Sequence, residues 1–258
     1  SAPWEWARRA MRADLSQRGH SGNSSNNGHA FADWPKKYNQ SNPDFFAVLD
    51  DTGKRNIPDP QGRGGAGYSA MCVSNPELHK KLVEFWLAAR KKSGKSDLFL
   101  NCKENDIHGK CICERCVAWD GPDVRWPTVF YAPYRNMGER YAAFYKEVWS
   151  LASRHDPHVI VEGYAYMNYI YAPRRIKLNR NIVIGFVPDL PYPRTAARQK
   201  LVNDEIDLWV QSGAGIFLRP NSFLNGYAMP EIWGRQYAAE FRRIAQAGAL
   251  VGVDIDGP

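Results

Sequence analysis

Glu104, Asn105 and Asp106 stand directly behind a short apolar run, Leu98, Phe99 and Leu100. A turn at Gly109 follows, then Cys111, Cys113 and Cys116. Two carboxylates flanking an amide, just past the end of a strand, sit where α/β folds and barrels carry their chemistry. A carboxylic acid can protonate a leaving oxygen while a second group attacks or stabilises the anomeric centre, which is the requirement of glycoside hydrolysis. Where the substrate carries a 2-acetamido group, that amide can attack, and an acid plus a polar orienting residue suffices. Asn105 with Asp106, or Glu104 with Asp106, suits either version.

Other chemistry-bearing residues recur behind later apolar runs. Glu162, Tyr164, Tyr166 and Asn168 follow one, Asp189 the next, Arg219, Asn221 and Asn225 the next, and Asp254 and Asp256 the last. Any one Asp or Asn in such a place can simply cap a turn, and Glu162 can lie within a strand and pair with an arginine. Their recurrence at successive strand ends favours a site. Asp254 or Asp256 is expected on the far side of the cleft from Asp106. His29, in NNGHAFADW, is either a loop histidine packed beside Trp34 or a contact for a sugar hydroxyl.

The elements that must position these groups are legible from periodicity. Asn75-Pro76-Glu77 starts a helix, Leu78, Leu82, Phe85, Trp86 and Ala89 line one face of it, and Gly94 ends it. Strands are expected at 98–100, 159–161, 182–186, 215–218 and 250–253, and further helices at 137–153, 196–210 and 231–246. Alternating short strands and amphipathic helices mean parallel βα units. The link 163–180 is aromatic and proline-bearing rather than helical. Five strands fall short of the eight of a complete (β/α)8 TIM barrel. The expectation is a TIM-barrel-like α/β chain that lacks or disguises its first strands, with 1–75 a loop-rich N-terminal segment and 76–258 the βα units. The abrupt opening, SAPWEWARRAMRADL, fits a later part of a larger barrel.

Composition narrows the function classes. The chain has 258 residues, enough for one sizeable core. Its 9 Trp, 13 Tyr and 11 Phe form a group large enough to supply flat faces for sugar rings as well as core. The net charge of +7 is spread along the chain with no basic, aromatic-interleaved stripe, so no nucleic-acid partner is expected. No run approaches the length of a membrane span. For Cys111, Cys113 and Cys116, with Cys72 or Cys102 as a fourth member and His108 nearby, disulfides and a structural zinc both stay open. No catalytic cofactor is expected.

Taken in order, these pieces resemble the bacterial family catalogued as domain of unknown function 4838, partly placed in glycoside hydrolase family 163. WARRAMR, GHAFADW, NPDFFAVLD, CVSNPEL, EGYAYMNYIYAPRR and GVDIDG carry the resemblance, and NDIHGKCICERC is its most specific element. The resemblance implies a (β/α)8-type barrel with endo-β-N-acetylglucosaminidase-like action on N-glycans, and it puts Asn105 and Asp106 on the signature. Two departures stand out. Arg219-Pro220-Asn221 replaces a Trp-Asp-Tyr run, and Asp254 and Asp256 stand where many members place a glutamate. The expected activity is hydrolysis of a β-linked, N-acetylglucosamine-containing glycan, in a secreted or periplasmic setting. The competing reading is a non-catalytic carbohydrate-binding barrel module.

Overall fold

The runs IVIGF and GIFL hold only apolar residues and glycine, as strands covered on both faces require. In the computed structural model, which describes residues 29–49, 53–55, 69–96, 98–121, 136–188, 195–219 and 234–253, β2 (Val161–Ala165), β3 (Ile182–Phe186) and β4 (Gly215–Leu218) are buried at every position. With β1 (Leu100–Asn101) and β5 (Leu250–Val253) they form a five-stranded sheet in the order β1-β2-β3-β4-β5. Every pairing is parallel, with Leu100 opposite Val161, Val161 opposite Ile182 and Val183 opposite Gly215. The register slips once, between Ile216 and Phe217 against β5.

Helices pack on this sheet. Helix α1 (Trp34–Tyr38) is a single turn. Helix α2 (Pro76–Ser93) is capped by Asn75, whose side chain accepts from Glu77 N at 2.9 Å, and it stops at Gly94 in the left-handed region. Behind β1 come α3 (Glu114–Ala118) and α4 (Gly138–Ala152). Helix α5 (Ala196–Ser212) precedes β4, and α6 (Gly234–Gln246) precedes β5. Periodicity had marked α2, α4, α5 and α6, whereas α1 and α3 are too short to show a period. Among the described residues no helix is long and apolar enough to cross a membrane.

The second strand lies later than the apolar run suggests. It occupies Val161–Ala165 rather than 159–161, because Gly163 and Tyr164 belong to the sheet. A Cβ on Gly163 would sit 2.4 Å from Tyr145 Cζ, so only glycine lets α4 lie this close. Tyr145 seals the contact, its hydroxyl donating to Tyr164 O at 2.8 Å and accepting from Tyr164 N at 3.2 Å. The link to β3 holds one 3-10 turn at Met167–Tyr169 and is pinned by α5: Trp209 Nε1 donates to Ile170 O, and Glu205 Oε2 accepts from Ala172 N. The described parts of the loop-rich N-terminal segment contribute Phe31, Trp34, Phe45 and Phe46 to the core.

Candidate functional site

Alternation along β1 and the residues behind it divides the chemistry into two groups. Side chains two apart share a face. Asn101 is opposite Glu162 in the register, and Lys103 follows Asn101 on that face. Cys102 and Glu104 turn the other way, toward α4. The carboxylates of Glu104 and Glu162 therefore serve different surroundings.

Glu104 is fully buried, and its carboxylate is enclosed by donors. Oε1 accepts from Asn105 N at 2.9 Å; Oε2 accepts from the Tyr141 hydroxyl at 3.0 Å and from Met71 N at 3.3 Å. Burial pushes its pKa up to about 7, against the lowering effect of those three hydrogen bonds. Asn105 is fully buried too. Its Nδ2 donates to Ser69 O at 2.7 Å, and its Oδ1 has no hydrogen-bond partner among the described residues. Asp106 stands exposed at the tip of the loop. Of Glu104, Asn105 and Asp106, the first two hold the loop and the third meets solvent.

On the opposite face, Lys103 Nζ lies 2.7 Å from Glu162 Oε2, both side chains buried. The pairing expected with an arginine is made by this lysine. Its ammonium also sits 5.4 Å from the Tyr164 ring centre and 5.8 Å from that of Phe217. The Arg219 guanidinium lies over the Tyr164 ring at 5.2 Å, and His29 meets the same ring edge-on at 6.3 Å. His29 Nδ1–H donates to the Glu104 carbonyl at 2.5 Å, while Ala30 N donates to Lys103 O at 2.8 Å. These two bonds bring the N-terminal segment to the end of β1. Gly185 makes room for the cluster, since a Cβ there would lie 2.3 Å from the Phe217 ring and 2.7 Å from Tyr164. Sequence reasoning missed Lys103 and Phe217. The available signal was the spacing of two between Asn101 and Lys103.

The remaining expected contacts scatter. Trp34 is buried against Phe31, Tyr38, Phe45 and Phe85, and one side of it lines a cleft of about 410 Å³ shared with His29, Lys37, Trp86 and Asn101. Asn168 is a loop clamp: its Oδ1 accepts from Gly109 N and its Nδ2 donates to Gly109 O, both at 2.9 Å. Tyr166 is half-buried and meets Tyr169 edge-on. Asp189, Asn221, Asn225, Asp254 and Asp256 lie outside the described residues.

Four of the five cysteines converge. The sulfurs of Cys72, Cys111, Cys113 and Cys116 all lie within 4.8 Å of one another, with Cys72 3.6 Å from Cys113 and 3.9 Å from Cys116. All five cysteines, each among the described residues, are free, so no disulfide joins them. Cys102 is buried apart from the group, and His108 is not part of it. Val48 N donates to Cys111 Sγ at 3.3 Å, and the Ser74 hydroxyl lies 3.0 Å from Cys116 Sγ. Hydrogen bonds from Cys116 and Cys72 hold the Cys111 thiol far below the usual thiol range, and its proximity pushes Cys116 up to about 12. Arg140, buried behind the group, donates to Cys111 O at 2.7 Å and makes a two-pronged ion pair with Asp120 at 2.7 and 2.8 Å.

A parallel α/β sheet, with polar and aromatic groups gathered along one face and a cluster of four free cysteines joining its first loop to the start of α2, describes the class. Within it, the chain belongs to the family described as Domain of unknown function (DUF4838), which it matches over residues 2–213. That span contains β1 to β3, the cysteine group and the Lys103–Glu162 pair, and ends before β4. No curated protein and no solved structure matches the chain.

Proposed function

We propose that the protein is a glycoside hydrolase acting on a β-linked, N-acetylglucosamine-containing glycan, and that its sheet is the later part of a (β/α)8 barrel. Strand order supports the barrel. A doubly wound sheet reverses its order at a switch point, whereas these strands run in sequence from β1 to β5. The activity rests on one observation: His29, Lys103, Glu162, Tyr164 and Arg219 gather on one face at the C-terminal side of this sheet, beside the loop that exposes Asp106. Resemblance to glycoside hydrolase family 163 points to the same chemistry.

In this reading Asp106 is the general acid that protonates the leaving oxygen. Asn105 and Glu104 position it, one through Ser69 O and the other through Tyr141 and Met71 N. Tyr164 is buried, with the Arg219 guanidinium and the Lys103 ammonium over its ring, so it holds these two cations in place at the floor of the site while Glu162 pairs with Lys103. The 2-acetamido group of the substrate, or a second carboxylate, completes the attack at the anomeric carbon. A secreted or periplasmic setting goes with that substrate class.

The test is turnover of defined β-N-acetylglucosaminyl oligosaccharides, including N-glycans, by the full chain and by Asp106→Asn. Loss of a general acid lowers kcat by about 10²–10⁴-fold. The asparagine variant should show that loss while keeping the parent unfolding midpoint, since Asp106 is exposed. Full activity in the variant would overturn the assignment of Asp106. Glycan binding by the parent chain without cleavage would instead make it a carbohydrate-binding module.

A further inference from the structure

Four sulfurs that approach one another this closely without bonding call for something between them. A zinc ion with Zn–S near 2.3 Å in a regular tetrahedron spaces its sulfurs by about 3.8 Å. The observed 3.6 and 3.9 Å match that edge. Paired disulfides would instead bring sulfurs to about 2.05 Å. A multi-iron cluster would spread the ligands of its different irons apart, whereas here all four sulfurs lie within 4.8 Å. We infer that Cys72, Cys111, Cys113 and Cys116 bind one structural zinc ion.

The surroundings suit a thiolate site. Val48 N donates to Cys111 Sγ, and the Ser74 hydroxyl is placed to donate to Cys116 Sγ, so second-layer hydrogen bonds meet two of the sulfurs. Four thiolates around a divalent cation leave a net negative charge, and the buried Arg140, held by Asp120, turns its guanidinium toward this group and donates to the Cys111 carbonyl. As the metal enters, the thiol protons leave to solvent and each sulfur donates a lone pair, with no change of oxidation state. Four protein ligands leave no open position for substrate, so the ion is structural.

Its position says what it holds. Cys72 sits just before the cap of α2, Cys111 and Cys113 close the loop behind β1, and Cys116 is in α3. The ion therefore ties the start of α2 to the segment that carries Glu104, Asn105 and Asp106. This inference does not depend on the proposed hydrolase activity.

The experiment is elemental analysis of the full chain purified without added metal, together with substitution by Co²⁺. One zinc per chain is expected, and the cobalt form should show the thiolate charge-transfer and d–d bands of a tetrahedral sulfur site. Cys113→Ser should lose stoichiometric metal, and Cys102→Ser should keep it, because Cys102 lies outside the group. The cobalt spectrum of the unmutated chain settles the point even if Cys113→Ser fails to fold. A chain without zinc that gives no cobalt spectrum would overturn the inference. So would a mass showing disulfides among these four residues, or stoichiometric iron in place of zinc.

Discussion

Replacing Glu104 by glutamine should change how stability depends on pH. In the folded chain this carboxyl titrates near 7, whereas an ordinary glutamate titrates at 4.5. Below pH 4.5 the folded and unfolded states both hold the proton, and the site contributes no pH dependence. Between 4.5 and 7 the folded state holds a proton that the unfolded state has released, so stability falls as pH rises through this window. At about 1.4 kcal/mol for each tenfold change in proton affinity, the loss reaches about 3 kcal/mol by the upper end and then stays constant. Glu104→Gln cannot titrate. Its amide can donate to the Tyr141 oxygen but then faces Met71 N, so a penalty of about 1–2 kcal/mol is expected at low pH. Urea unfolding of both proteins from about pH 4.5 to 8 reads the difference directly. The variant should be the less stable at the acid end and the more stable at the alkaline end, with a total swing of about 3 kcal/mol. Any titration common to both proteins, the cysteines included, cancels in the difference. A difference that does not move with pH would refute the reasoning.

Two more substitutions test the packing around the site. Gly163→Ala should cost about 1–3 kcal/mol in urea unfolding, since the new methyl meets the Tyr145 ring at 2.4 Å and that ring is tied to Tyr164 at both backbone groups. An unchanged midpoint would mean that α4 can move away. Arg140→Met should cost about 3–5 kcal/mol, because it strands buried Asp120 and the Cys111 carbonyl. A double variant with Asp120→Asn should recover part of that loss, and strictly additive costs would deny the coupling.

Much of the frame could be read from local pattern, and the reason is visible in particular elements. β3, β4 and β5 fall at 182–186, 215–218 and 250–253 because each is an apolar run bounded by turn residues. Helix α2 declares itself by Asn75, Pro76 and Gly94 at its ends. β2 was misplaced because Glu162 and Gly163 do not look like strand residues until Lys103 and Tyr145 are beside them. The cysteine group shows the same limit. Cys111, Cys113 and Cys116 announce themselves by spacing, but Cys72 and Cys102 were equal candidates for the fourth place. Pairing of β1 with β2 separates them, sending Cys102 toward α4, while a bridge between Phe46 and Met71 brings Cys72 to the others. Sequence distance alone carries neither fact.

The two carboxylates nearest the first strand end were alike in sequence, and the structure makes them unlike. Glu104 spends its lone pairs on Met71 N, Asn105 N and Tyr141, so it joins three segments and has no surface left for a substrate. Asp106, two residues on, is exposed and open to contact from solvent. A loop that must present one carboxyl in a fixed place needs its neighbours held, and here they are held on every side. Asn168 grips Gly109 by both backbone groups, Arg140 takes the Cys111 carbonyl, and His29 takes that of Glu104. Loosening the grip of Asn168 or His29 should disturb the placement of Asp106 before it unfolds the sheet, because the sheet makes its own ladder of bonds from β1 to β5. The loop is thus tied as a mount for Asp106, and on the proposed reading catalytic defects that leave the unfolding midpoint intact should map to Asn168 and His29.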